Sequence, residues 1–147
     1  MEYVQDVNDD MLVLESREDY LDNVKHYMNL KVWQKSHQLA INMYKLTNKF
    51  PPDERYGMTN QIRRAVASIP ANIAEGHGRN SFGDFKRFIS ISIGSANEVE
   101  YLLLLSKDLG YINQESYEML SKDLLIVLKM LQALKRAIEA KCNQNRL

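Results

Sequence analysis

The side chains best suited to chemistry in this chain are Arg63, Asn72, Glu75 and Glu98. Brought together from neighbouring helices they would form a polar pocket, in which a carboxylate beside an arginine could move a proton. A catalytic site of this kind also needs a nucleophile and base within reach, or a metal. No histidine, nucleophile–base pair or metal-ligand spacing stands beside these four residues, so neither catalysis, a metal nor a cofactor is expected. His37 sits at helical spacing from Trp33 and Ile41 with no second ligand on a neighbouring turn, the pattern of a hydrogen-bonded boundary residue.

The second chemistry open to the chain is phosphate binding by lysine and arginine. Lys31, Lys35, Arg63, Arg64, Arg79, Lys86 and Arg87 are the candidate contacts. Arg63 and Arg64 are embedded in an apolar packing pattern, which also gives them a structural reading. Gly76, His77, Gly78 and Arg79 form a glycine-rich turn before a helix, but without the Gly-Lys-Ser/Thr ending of a P-loop or a preceding strand. They read as an interhelical turn whose Arg79, with Lys86 and Arg87, could touch phosphate. No aromatic stacking platform is evident, so single-strand base reading is not suggested.

The formal net charge is zero over 147 residues, and this balance conceals an asymmetry. Residues 1–28 hold eight acids and two bases, a net of −6, which leaves 17 bases and 11 acids, a net of +6, for the rest. The rest of the chain can therefore attract a polyanion over short range. The acidic start lacks the basic and apolar regions of a secretory leader, and no uninterrupted apolar run approaches the roughly 18 residues of a membrane span. A cytoplasmic protein is expected. The lone Cys142 can form no intramolecular disulfide, in agreement with a reducing compartment.

These side chains must be carried by helices, because three prolines and six glycines are few and β-type alternation is absent. The organising stretch is QIRRAVASIPANIAEGHGR, residues 61–79. Its Ile62, Ala65, Val66, Ile69, Ile73 and Ala74 form one buried face, Pro70 predicts a kink, Ser68 and Asn72 flank it, and Gly76 with Gly78 marks the stop. An earlier helix spans about Val32 to Phe50, and Asp53 or Thr59 can begin the second. A third spans about Phe82 to Leu109 behind a Ser81/Asp84 capping pair. Within it Gly94, beside Ser92, Ser95 and Ala96, calls for a close helix neighbour, and Glu98 or Glu100 could pair with Arg63 or Arg64. The fourth begins at Asn113 or Ser116 and carries the uninterrupted seam Tyr117, Leu120, Leu124, Val127, Leu131, Leu134 and Ile138. A second apolar set on it, Leu125, Leu128, Met130, Ala133 and Ala137, is either buried deeply or meets another subunit.

Short connections favour an all-α, antiparallel up-down-up-down four-helix bundle with a kinked second helix. The bundle covers residues 29–141, preceded by an acidic extension, 1–28, and followed by a polar tail, 142–147. The extension reads either as a poorly ordered tail or as a short amphipathic helix from about Ser16. Its acids could compete with phosphate for the basic bundle, so removing residues 1–27 would then strengthen RNA binding.

The 61–79 stretch, with LKVWQKSHQLA from Leu30, FPPDERYG from Phe50 and FKRFISISIGSANEVEYLL from Phe85, resembles the 23S rRNA intervening-sequence proteins. That helical-bundle family includes the accessory variability determinant of diversity-generating retroelements. The resemblance, over about Leu30 to Ala140, makes Pro70, Asn72, Glu75, Gly76, Gly94, Ser95 and Glu98 part of a structural signature. It implies a ring-shaped homopentamer, non-enzymatic, that binds structured RNA and partners a reverse transcriptase. A protein-interaction scaffold of the intervening-sequence type, without direct nucleic-acid contact, is the alternative.

Overall fold

The computed structural model describes residues 27–144. The acidic extension expected to be a tail or short helix, and the last three residues, lie outside the described residues. Four helices follow in order: α1 Lys31–Thr47, α2 Met58–His77, α3 Phe82–Asp108 and α4 Gln114–Gln144. Single turns of 3-10 helix occupy Tyr27–Asn29 and Pro52–Glu54, and there is no strand among the described residues. Each helix packs on its neighbours in sequence, α1 also packs on α4, and the backbones of the diagonal pairs α1/α3 and α2/α4 stay farther apart. With such short connections this makes the antiparallel four-helix bundle, in which the start of α1 and end of α2 share one end with the start of α3 and end of α4.

The core follows the helical periodicity. Ile62, Ile69 and Ile73 of α2 are fully buried with Ile89 and Leu103 of α3, and the α4 seam from Leu120 to Ile138 closes on them. The second apolar set of α4 is mostly absorbed as well: Met130 and Ala133 are buried and Leu128 and Ala137 half-buried, while Leu125 alone is exposed. Of the two readings of this set, deep burial within the bundle accounts for most of it, because α1 and α3 flank this helix on both sides. Exposed apolar side chains stand on the outer side of α3, at Ile91, Tyr101 and Leu104, and on α4 at Met119 and Leu125. Leu109, given as the approximate end of the third helix, is its C-cap, one residue past Asp108, and is 51% exposed. α3 is long and apolar enough to cross a membrane by length and composition, yet Glu98 and Glu100 interrupt it and its inner face belongs to the core.

Helix ends are set by local chemistry. Ser81 accepts from the Asp84 N–H at 3.1 Å, and Asn113 Oδ1 accepts from the Ser116 N–H at 2.8 Å, so Asn113 opens α4. Neither Asp53 nor Thr59 starts α2. Gly57 stands at its N-cap, and the Glu54 carboxylate takes the Met58 N–H at 2.7 Å while accepting the Tyr111 hydroxyl at 3.0 Å. That second bond and the adjoining carboxylates push the Tyr111 hydroxyl pKa up. α3 ends in a Schellman turn, in which Gly110 adopts φ 78° and the Tyr111 N–H donates to the Ser106 carbonyl. α4 runs to Gln144, three residues beyond its expected end at Lys141.

Pro70 is buried within α2 and does not end it. The carbonyls just before it gain side-chain donors: Asn72 Nδ2 donates to the Ser68 carbonyl at 2.8 Å, and Ser92 Oγ of α3 donates to the Ile69 carbonyl at 2.9 Å. Ser68 and Ser95 share a hydrogen bond of 2.9 Å across the same interface. These side-chain bonds tie α2 beside Pro70 to α3.

The glycines divide unexpectedly. A Cβ on Gly76 would lie 2.7 Å from the Phe88 Cβ and 3.3 Å from the Phe85 ring, so α3 packs too close to Gly76 to leave room for a side chain. Gly94 is exposed and a Cβ there would meet nothing within 4 Å. The packing reason expected for Gly94 is thus absent within the bundle, and buried Ser92 and Ala96 form the inner small surface instead.

Candidate nucleic-acid interface

The antiparallel order separates the candidate cations into two groups. Lys31 and Lys35 begin α1, Arg79 follows α2, and Lys86 and Arg87 begin α3, so these five gather at one end. The end of α4 adds Lys135, Arg136 and Lys141, which sequence reasoning missed because nothing local says that a helix end thirty residues later returns to the start of α3. Among the described residues, these eight bases face Glu75, Asp84 and Glu139, a net of +5. The opposite half carries eight acids and seven bases, with Lys129 between the two halves. The bundle's positive charge is thus concentrated at one pole.

Three of the five candidates have acidic neighbours. Arg79 contacts Glu75 at 2.6 Å, Lys86 contacts Glu139 at 3.3 Å and Arg87 contacts Asp84 at 3.9 Å. All six side chains are substantially exposed, so each pair contributes little to stability and is exchanged cheaply for a phosphate. The guanidinium carbons of Arg79 and Arg87 lie 5.0 and 4.6 Å from the centre of the Phe88 ring. Phe88 thereby holds both cations against the α2–α3 junction. Lys35 is exposed one turn into α1.

Arg63 and Arg64 lie toward the opposite end. Arg63 is structural: its Nε donates to Thr47 Oγ1 at 2.9 Å, its Nη2 to Asn48 Oδ1 at 2.8 Å and to the Tyr44 carbonyl at 3.3 Å. Its guanidinium also lies 5.0 Å from the Tyr44 ring centre. A cation on the last carbonyls of α1 is favoured by the partial negative charge there. Arg64 is exposed and lines a polar cleft of about 540 Å³ with Gln61, Ser68, Ser95 and Glu98. Glu98 accepts a long 3.5 Å contact from Gln61, and no ion pair joins it or Glu100 to Arg63 or Arg64 among the described residues.

The proposed polar pocket does not assemble. Arg63 turns to α1, Asn72 bonds back to Ser68, Glu75 holds Arg79, and Glu98 faces the cleft. Among the described residues no group of three His, Cys, Asp or Glu side chains could hold a metal ion. His37 stacks on Trp33 with ring centres 4.8 Å apart.

His77, at the end of α2, contacts the Phe85 ring at 6.2 Å, and burial pushes its pKa below the usual 6.5. The unfolded chain then binds this proton more readily than the folded one. Stability is full above about pH 6.5 and falls as the pH drops through the interval below it. Denaturant unfolding at pH 5.0 and 7.5 is expected to show this loss in the wild type and a smaller one in His77→Gln. Equal losses in both would assign the pH dependence elsewhere.

The family model of the 23S rRNA-intervening sequence protein matches residues 28–133, and the chain belongs to that family. A search of curated proteins finds no match. Among solved structures, a protein of unknown function of the S23 ribosomal protein family from Bacteroides thetaiotaomicron is 32% identical, with a TM-score of 0.67. The match covers 71% of this chain and 95% of that one.

Proposed function

We propose that this member of the 23S rRNA-intervening sequence protein family is a non-catalytic, oligomeric adaptor that binds structured RNA through the basic pole of its bundle. The observation that carries this reading is the net +5 gathered at one pole, while the opposite half is nearly balanced. A polyanion is attracted by such a concentrated field even where each cation has a surface acid beside it. The adaptor works in the cytoplasm as an accessory protein of a diversity-generating retroelement, beside its reverse transcriptase. That finer role rests on the resemblance of the 61–79 stretch and its companions to the accessory variability determinant. Assembly as a homopentamer is part of the proposal, and the exposed Ile91, Tyr101 and Leu104 of α3 support a subunit contact. A ring would repeat the basic pole around one axis and multiply weak phosphate contacts.

The test is titration of a structured RNA hairpin against the full chain and a Lys35→Gln/Arg87→Gln/Lys135→Gln variant. Loss of three phosphate contacts flattens the salt dependence by about 2 to 3 log units per log unit of salt. Wild-type affinity should fall more steeply with salt than the variant's. Equal binding by both, or an equal loss from neutralising Arg55 and Lys122 at the other pole, would remove the basic pole as the interface. The Glu75, Asp84 and Glu139 neighbours favour a second reading, a protein-interaction scaffold whose surface cations serve solvation. Absence of RNA binding by either chain would establish it over the first.

A further inference from the structure

The polar cleft of about 540 Å³ between α2 and α3 lies away from the basic pole, and its volume is within the roughly 300–1,000 Å³ of small-molecule sites. Tyr56 lines it from directly before α2 and is 86% exposed, more than any other large apolar side chain among the described residues. The Arg55 guanidinium lies 5.6 Å from the centre of that ring. Asn60, Arg64 and Ser68 follow Tyr56 at four-residue steps, so one stripe of α2 forms a wall, with Gln61 beside it. Ser95 and Glu98 of α3 form the facing wall. Across the cleft the Gln61 amide donates to Glu98 Oε1 at 3.5 Å, a long bond that leaves both groups with capacity to spare. The side chains of Asn60 and Arg64 make no hydrogen bond or ion pair among the described residues.

We propose that this cleft binds the guanine base of a single unpaired nucleotide, with the base stacked on Tyr56 and its Watson–Crick edge held by Gln61 and Glu98. That edge presents one acceptor, O6, beside two donors, N1–H and the N2 amino group. A carboxylate only accepts and takes both donors on its two oxygens, while a glutamine amide has two donor hydrogens, one for O6 and one for its bond to Glu98. Adenine would set the N1 lone pair against the Glu98 carboxylate, and cytosine and uracil would each bring O2 against it, so the site rejects them. Arg64, one turn beyond Gln61 and about 4.5 Å further along α2, is placed for the phosphate, and Asn60 for the sugar hydroxyls. Stacking tolerates any base, so Tyr56 supplies affinity and Glu98 selectivity. Helical periodicity does not reveal this platform, because Tyr56 precedes α2 and only the packing of α3 on α2 brings Glu98 to Gln61. A free nucleotide needs no contact at the basic pole, so this site and the RNA-binding pole can fail separately.

Calorimetric titration of the full chain would use guanosine and adenosine monophosphate, GMP and AMP, and two RNA hairpins that differ only in one bulged nucleotide, G or A. The guanine form should bind at least about ten-fold more tightly than the adenine form. Glu98→Gln should bring the two affinities together, and Tyr56→Ala should weaken both alike by about ten-fold. Both positions are exposed, and circular dichroism checks that each variant keeps the bundle. A preference shown by the hairpins alone would place the guanine within RNA, and one shown by GMP as well would make a free nucleotide a ligand. No preference for guanine in either format, or a preference that survives Glu98→Gln, would overturn the proposal.

Discussion

Replacing Gly76 by alanine is expected to lower stability by about 2 kcal/mol, because the steric cost of overpacking exceeds the gain of roughly 1 kcal/mol in helix propensity. The new Cβ would stand 2.7 Å from the Phe88 Cβ, the root of a buried side chain on a packed helix, and 3.3 Å from the Phe85 carbonyl. Neither atom can move without shifting the start of α3. The same substitution at Gly94 has the opposite sign. It meets nothing within 4 Å and removes a mid-helix glycine, so stability should rise by up to about 1 kcal/mol. Thermal unfolding of dilute protein should separate the two variants by roughly 10 °C. If Gly76→Ala unfolds at the wild-type temperature, the close approach of α2 to α3 at this position is not a packing constraint.

Arg63→Glu should cost about 3 kcal/mol. It removes three donated hydrogen bonds to the end of α1 and sets a carboxylate against carbonyls that already carry partial negative charge. Thr47 is buried and keeps its own bonds to the Met43 and Tyr44 carbonyls, so its hydroxyl survives while losing the guanidinium that held it. Arg64→Glu, one residue along and exposed, should change stability by no more than about 0.5 kcal/mol. Urea unfolding of the two variants decides the assignment. Equal midpoints would return Arg63 to the pool of surface cations available to RNA.

The difference between these adjacent arginines illustrates what local sequence conveys. Periodicity places both at the edge of an apolar helix face, but the partners of Arg63 lie 15 to 19 residues away and depend on which helix packs on that edge. Glu98 presents the same problem: its sequence offers an arginine partner, whereas the packed helices bring it Gln61 and a polar cleft. Gly94 was legible as an anomaly because glycine is costly inside a helix, yet composition alone does not distinguish a glycine facing a neighbour from one facing water.

The sequence by itself determined the helices, their order and most of their buried faces, since 3.6-residue periodicity, the Ser81 cap and the Gly110 stop act over one or two turns. It also determined the segregation of acid in the first 28 residues from excess base in the remainder. Only the tertiary structure decided where that base collects. Antiparallel packing carries Lys35, Arg87 and Lys135, which are far apart along the chain, to one pole, and it commits Arg63 to α1. It likewise showed that a neighbouring helix leaves no room for a Cβ at Gly76 while Gly94 faces open space, and that α1 and α2 leave an apolar groove open beside Tyr27. Charge and packing at these places arise between helices, and the distances that govern them exist only after the helices have met.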